Sequence, residues 1–297
     1  MPQTNFDYII IGAGSSGATL AAKLSADPSV RILLLEAGRD DKHRWVQMPL
    51  GMGKLLTNPE FVWPFSTEPE PGLRGQTVYW PRGKLLGGSS SVNGMLFARG
   101  AAHRYDEWRD GNAPGWGFEE LLPYFKEIES RDGGDPTWRG STGGVTISDV
   151  KNRDALSQGF FDACVGIGAR ANEDYNGENF DGVGWLQYNI QDGVRWSASR
   201  AFLDPIKGRS NLEIQTHAHV TRIDLEGRVA AGVHYTRGGE HLTVRATREV
   251  LLCAGPIVSP QILELSGIGS GDVLAAHGIE VVHDLPGGEW RRIQKAS

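Results

Sequence analysis

At 297 residues, with 39% apolar and 22% charged residues, the chain has the composition of a globular protein able to bury a large core in one or two domains. Its formal net charge of −6 gives no general attraction to nucleic acid or anionic membranes, and its two cysteines make no disulfide framework. No apolar run approaches the length of a membrane span, and acidic Asp7 ahead of a glycine turn fails as a secretion signal, so a cytoplasmic, reduced setting is expected.

The first element is the apolar strand Asp7–Ile11, which runs into Gly12-Ala-Gly-Ser-Ser-Gly17 and a helix expected from Ser15 to about Ser25. A second apolar run, Arg31–Leu35, ends in Glu36. Strand, glycine turn, helix and terminal acid together make a dinucleotide-binding unit. Gly12 makes the tight turn, Gly14 lets a pyrophosphate approach the backbone, and Gly17 lets the helix pack close to the sheet. The helix directs its first N–H groups, including those of Ser15 and Ser16, and its positive dipole end at the phosphates. Glu36 is placed to accept bonds from ribose hydroxyls, and its charge would repel a 2′-phosphate.

From Asp40 to Trp80 the chain is rich in Pro, Gly and Trp and reads as a long irregular connection with short helical pieces at most. Tyr105–Trp108 and Phe118–Ser130 have helical spacing, with Leu121, Leu122, Phe125 and Ile128 as a packing stripe. Residues 131–150 read as loop, a helix is expected from about Ala155 to Gly166, and Asn172–Gly184 reads as another loop. Short strands follow at Leu212–Thr216, Val220–Leu225, Ala231–Tyr235 and Leu242–Ala246, separated by turns. Glu249–Ala254 is a further apolar strand, carrying Cys253 as an ordinary buried thiol, and a helix begins near Gln261.

Two more glycine-rich elements stand out. Trp80-Pro-Arg-Gly-Lys-Leu-Leu-Gly-Gly-Ser-Ser-Ser-Val-Asn-Gly-Met95 places Gly87 and Gly88 where a backbone presses on a flat or phosphorylated ligand, with hydroxyls beside it. Taken alone, a Gly/Ser surface loop explains this stretch equally well. In Cys253-Ala-Gly-Pro-Ile-Val-Ser-Pro, the strand delivers Ala254 and Gly255 to a turn, and Ser259 is placed to cap the helix containing Pro260.

The three elements together resemble the glucose-methanol-choline (GMC) oxidoreductases, flavoenzymes that oxidise alcohols with FAD. Arg82–Asp106 is similar to the family's first signature and Gly255–Gly269 to its second, and the likeness runs from about Phe6 to Pro286. Tyr79-Trp-Pro-Arg-Gly83 and Phe97-Ala-Arg-Gly100 look most like the choline-dehydrogenase-like members. The resemblance implies an α/β fold: a Rossmann-like FAD-binding domain with a β-meander, plus an incomplete substrate-binding portion. The region 5–286 would hold an FAD-binding core of 5–40, 78–108 and 210–286 and a partial substrate-side segment of 110–205. Residues 287–297 would be a non-family tail.

Carried over position by position, Gly12, Gly14, Ser15, Ser16 and Gly17 would hold the FAD pyrophosphate and Glu36 the adenosine ribose. Arg82, Gly87, Gly88, Ser89, Asn93, Gly94 and Met95 would lie along the isoalloxazine and ribityl chain, with Ala254 and Gly255 facing the same cofactor. Val220 matches the position that bonds adenine through its backbone. Val92 stands where some members carry a His that links FAD covalently, so noncovalent binding is implied; nothing calls for a metal.

The implied chemistry is oxidation of a primary alcohol to an aldehyde by hydride transfer to flavin N5, with oxygen or a quinone as electron acceptor. Two departures stand against it. The family's catalytic His lies in a C-terminal half that this sequence does not show, and after Leu285-Pro-Gly287 the family pattern stops, which reads as a frameshifted or otherwise truncated product. The eight histidines all have ordinary solvated contexts, so no catalytic residue is assigned. An FAD-binding but inactive fragment and a hydroxynitrile-lyase-like member are the alternatives, with an NAD enzyme a minor one.

Overall fold

The computed structural model describes residues 5–285 and the backbone of 293–295. It divides into two compact units, one built from residues up to 93 together with 198 onward, the other from 94–197.

The first unit contains β1 (Asn5–Ile11), α1 (Ser15–Leu24), β2 (Ile32–Leu35), β3 (Leu212–Gln215), β4 (His219–Glu226), β5 (Val229–Arg237), β6 (Glu240–Leu252) and α2 (Gly255–Leu265). These strands form one six-stranded sheet in the order β3-β2-β1-β6-β5-β4. β1 pairs in parallel with β2 and β6, β2 pairs in parallel with β3, and β4, β5 and β6 form an antiparallel meander.

The apolar runs explain the parallel part. Helices cover both faces of such a sheet, so its strands are apolar throughout rather than alternating. Ile9, Ile11, Leu33 and Leu35 pack on the face that carries Ile262 and Val258 of α2. Ile10, Ile32 and Leu34 point the other way, against Ala18 and Ala21 of α1 and Leu203 of the helical turn Ser199–Leu203. All seven of those strand side chains are at most 3% exposed.

Several expectations change. The two strands expected at 242–246 and 249–254 are one strand, β6. Between Phe6 and Tyr8 of β1, a single residue opposes both Thr247 and Arg248 of β6, a bulge that carries the strand from the meander into the parallel sheet. Asp7 satisfies it: its carboxylate accepts from Thr247 Oγ1 at 3.0 Å, lies 3.3 Å from Arg248 Nε, and accepts the Arg31 N–H at 2.8 Å. That Arg31 bond and these neighbours hold the Asp7 carboxyl below its ordinary value.

The helix expected near Gln261 begins at Gly255, and Ser259 does not cap it. Gly255 has φ +83°, so the chain turns from strand to helix within three residues of Leu252, and Pro256 occupies the first turn. The irregular connection holds only short helical pieces, such as Arg44–Gln47 and Met52–Leu55, and two-to-three-residue strands. Residues 198–209 belong to the first compact unit and 94–108 to the second. The tail lies outside the described residues apart from Ile293–Lys295, whose backbone pairs with Phe65–Thr67.

In the second unit, helices Ala102–Asp110, Phe118–Ile128 and Ala155–Gly166 accompany a three-stranded sheet of Glu129–Arg131, Val145–Asp149 and Gln187–Tyr188. Residues 131–150 are therefore not all loop, and the second helix stops at Ile128. Gly143 fits beneath the Ile128–Glu129 backbone, where a Cβ would meet the Ile128 carbonyl carbon at 2.2 Å. Close approach, not looseness, is the reason for that glycine. Asp154 caps the third helix by accepting the Ser157 N–H at 2.9 Å, yet none of its residues is buried, and Leu156 and Phe160 are 85% and 67% exposed.

A buried charge cluster centres the second unit. Glu129 is fully buried and lies 2.7 Å from Arg99 Nη2 and 2.8 Å from Arg139 Nε, while its Oε1 also accepts the Gly140 N–H. Arg139 reaches Asp174 at 2.6 Å and Gln187 at 3.1 Å, and Gln187 in turn binds Asn176 and Asp174. Among the described residues no helix is long and apolar enough to cross a membrane.

Removing one charge from a buried pair leaves its partners uncompensated. Glu129→Gln is expected to lower stability by about 3–5 kcal/mol, read as a reduced urea midpoint of the full chain. An unchanged midpoint would show that the cluster is not closed in solution.

Candidate nucleotide-binding site

The site grows from the exit of β1. After Ile11 the backbone has to reverse into α1, and Gly12 does so at φ +95°, with a Cβ there lying only 2.7 Å from the Cys253 carbonyl oxygen. A Cβ on Gly17 would fall 1.9 Å from the Gly12 carbonyl oxygen, so the first turn of α1 closes on the loop only with glycine there. Gly14 is the N-cap residue, extended at φ −70° and ψ −167°, and it brings no capping side chain. The first helical bond is Ala18 N–H to Gly14 O at 2.9 Å. The first-turn N–H groups ahead of it have no partner within the helix.

The second glycine element is bound to the first. Gly87 N–H donates to Ala13 O at 2.8 Å, and a Cβ on Gly88, at φ +54°, would stand 2.8 Å from Gly14 Cα. The serines mostly hold this loop in shape. Ser90 and Ser91 hydroxyls donate to the Gly87 and Leu86 carbonyls, and Ser89 Oγ accepts the Gly83 N–H at 3.1 Å. The third element arrives through Cys253 N–H, which donates to Ile11 O at 2.8 Å. Helix α2 then starts beside the loop, and like α1 it has no side-chain cap. Two uncapped helix N-termini therefore border one cavity, an arrangement that favours anions.

That cavity measures about 600 Å³. Gly12, Gly14, Ser15, Ser16 and Glu36 line it, as do Arg82, Gly88 and Ser89. Val220, Ala254 and Gly255 complete the anticipated set. Five anticipated residues do not line it. Gly17 and Gly87 act behind it through the backbone fits just described. Asn93 is exposed, its N–H bonded to Ser89 O at 2.9 Å. Gly94 and Met95 belong to the second unit, where Met95 has φ +61° and accepts the Asn189 N–H. Gly83 of the second glycine-rich element also lines the cavity, as do Trp63 and His219, which no sequence signal marked. Trp63 lay in the stretch read as irregular, and His219 directly precedes Val220.

Glu36 is 6% exposed at the end of β2. Its carboxylate accepts the Ala13 N–H and the Gly38 N–H, each at 2.9 Å, tying the glycine turn to the second strand. Burial dominates and pushes its pKa up to about 7, although those N–H groups and the Lys84 charge pull the other way. Cys253 is half-buried, and burial raises its thiol pKa, as suits an unreactive thiol.

The comparisons agree with this geometry. Residues 6–279 match the GMC oxidoreductase family. The chain is 42% identical over 281 residues to the oxygen-dependent choline dehydrogenase of Brucella anthropi, covering 95% of this chain and 51% of that protein. It is 42% identical to an alcohol dehydrogenase [acceptor] of Pseudomonas putida over 284 residues, with 95% and 51% covered. Among solved structures, pyridoxine 4-oxidase from Mesorbium loti superposes with a TM-score of 0.91 at 35% identity, covering 95% of this chain and 56% of that one. An FAD-dependent oxidoreductase from Chaetomium thermophilum gives a TM-score of 0.87 at 32% identity, with 95% and 51% covered. The chain spans about half the length of the curated relatives it matches.

The pH response of Glu36 follows from its burial. Its folded pKa of about 7 lies above the ordinary 4.5, so between those values the folded chain holds the extra proton. Stability is then greatest below about pH 4.5 as far as this group is concerned, and falls by on the order of 3 kcal/mol as pH rises through 7. Urea titrations of the ligand-free chain from about pH 5 to about pH 8 should show this loss, and Glu36→Gln should flatten most of it. An identical slope in the variant would refute the assignment.

Three glycine loops, two uncapped helix N-termini and a buried acid at the second strand thus stand together in a fold shared with these proteins, and the chain belongs to the GMC oxidoreductase family.

Proposed function

We propose that the first unit binds FAD noncovalently and that the chain serves FAD-dependent oxidation of a primary alcohol to an aldehyde. The observation that carries this reading is the convergence of the Gly12, Gly88 and Gly255 loops on one cavity. A side chain on either of the first two would collide with a neighbouring loop, and no atom lies within 4 Å of a Cβ on the third. Backbone is thereby exposed to a ligand along the cavity wall.

In this reading the α1 N-terminus, with Ser15 and Ser16, holds the diphosphate. Glu36 receives the ribose, and the Val220 backbone receives the adenine. Arg82, Gly88 and Ser89 lie along the ribityl and ring portion, with Asn93, Gly94 and Met95 as its proposed continuation. The α2 N-terminus beyond Ala254 and Gly255 stabilises negative charge on the ring. Val92, at the position where some family members carry the linking His, is 2% exposed and packs with Val46, Leu55 and Phe61, which supports noncovalent binding. When bound, the flavin supplies the acceptor for the hydride leaving the alcohol carbon.

We assign the substrate-side segment to 110–205. The base that takes the alcohol proton is, on the family pattern, a histidine this sequence does not carry. Oxygen or a quinone is the proposed electron acceptor, a choline-like primary alcohol the proposed substrate, and the cytoplasm the proposed setting. A second reading, FAD binding without turnover, draws on the histidines: among the described residues His219 is the one that lines the cavity, and it sits beside Val220 at the proposed adenine position.

The visible spectrum of the purified chain tests the proposal. Flavin bands are expected, and their anaerobic bleaching by a primary alcohol would support oxidation. Bound flavin that no alcohol bleaches favours the second reading, and a colourless chain that takes up no FAD sinks both. Gly17→Ala should abolish FAD uptake, because its Cβ would need the space of the Gly12 carbonyl. FAD titration of that variant provides the measurement.

A further inference from the structure

We propose that Asp41 and Ser199 are positioning residues: from behind the cavity they brace the second glycine loop, and through it the flavin end of the ligand. The brace stands on its own geometry, and its effect on the ligand rests on the FAD reading above. Both residues are buried, and neither lines the cavity. The Ser199 hydroxyl donates to the Asp41 carboxylate. Ser199 opens the helical turn Ser199–Leu203, and the turn that it opens meets the loop directly. Ala198 N–H donates to Ser90 Oγ at 2.9 Å, and the Ser90 hydroxyl donates to the Gly87 carbonyl at 2.6 Å. A Cβ on Gly87 would stand 3.2 Å from both the Ser199 Cβ and the Ser199 nitrogen. Gly87 N–H is bonded to Ala13 O, so the loop is held by the first glycine turn and by the turn that Asp41 anchors.

A second tie joins the same two segments: the Gln47 amide donates to the Asp41 carbonyl at 2.7 Å and accepts from Arg200. Burial of the turn does not need these polar bonds, because Leu203 already packs with Ala18 and Ala21 of α1. What they fix is the placement of Ala198 and Ser199 against the loop. Asp41 is moreover an acid in an unfavourable place. Burial raises its carboxyl above the ordinary value, the Ser199 hydroxyl lowers it, and the Asp204 and Asp40 charges raise it again. Removing the hydroxyl leaves a buried acceptor with its desolvation uncompensated, so the turn should shift rather than stay in place. Gly87 and Ser90 flank Gly88 and Ser89, which line the cavity, so a shift of the turn moves the cavity wall. On the FAD reading that wall follows the ribityl and ring portion, which ADP lacks.

The test is titration of the flavin-stripped full chain with FAD and with ADP, together with hydrogen exchange of the ligand-free backbone. Ser199→Ala and Asp41→Ala should each weaken FAD about tenfold and leave ADP within about twofold. Asp41→Asn, whose amide oxygen still accepts the Ser199 hydroxyl, should restore most of the loss, and it keeps the test open should Asp41→Ala fail to fold. In Ser199→Ala, exchange should rise over residues 83–93 and stay unchanged over β6. FAD and ADP weakened by one factor would mark a general loss of fold and overturn the positioning role, as would unchanged exchange over 83–93. Faster exchange there in a chain that takes no FAD would uphold the brace and sink the flavin reading. FAD taken up alike by every variant, with exchange unchanged, would do the reverse.

Discussion

Cys253 N–H and the Ile11 carbonyl meet at 2.8 Å, and this one backbone contact sets the spacing of everything around the cavity. It locks the exits of β1 and β6 side by side. The two following turns must then share a space too small for side chains. Gly12 fits under the Cys253 carbonyl, Gly17 under the Gly12 carbonyl, and Gly88 against Gly14. Because both exits turn directly into helices, the same constraint brings two positive helix ends to one place. The recognition surface is backbone first, with side chains secondary.

The parallel sheet beneath makes that precision affordable. Its strands are buried on both faces by α1 and α2, so the loops at its carboxyl edge rest on a fully packed base. Glu36 extends the same logic into electrostatics. Its carboxylate is desolvated, yet it is bonded by two backbone N–H groups, one from the glycine turn and one from the strand's own continuation. The acid proposed to receive the ribose is thus also a clamp on the glycine turn.

Much of this was legible in the sequence because it is written in short-range chemistry. Gly12, Gly14, Gly17 and Glu36 occur at the spacing that a strand, turn, helix and strand require. The convergence of the second and third glycine elements could be read only through their resemblance to a family, since nothing local says that residues near 88 and 255 touch residue 14. Other features were hidden for definite reasons. The β6 bulge looks like a break because Thr247 and Arg248 interrupt the apolar pattern, and only Asp7, 240 positions earlier, explains them. Gly143 reads as a loop residue until the Ile128 backbone is seen above it. Trp63 sits in a two-residue strand, too short for any periodicity. The buried Glu129 cluster joins residues from 99 to 187, and no pattern of charge in the chain announces it.

The reach of β6 has a consequence for how this protein is made. β1 pairs with residues 245–252, so the central pairing of the sheet joins the first strand to one near the far end of the match to the family. At a synthesis rate of roughly 5–20 residues per second, β1 waits on the order of ten to fifty seconds for its partner to be translated. During that interval Tyr8-Ile-Ile-Ile11 can pair with Ile32–Leu35 on one side but has an open edge on the other, and sheets that close over such a sequence separation form slowly. The Gly12–Gly17 loop is thus among the first stretches to leave the ribosome and among the last to gain its full set of neighbours. Until Cys253 arrives, the Gly12 turn lacks the backbone bond that sets its spacing.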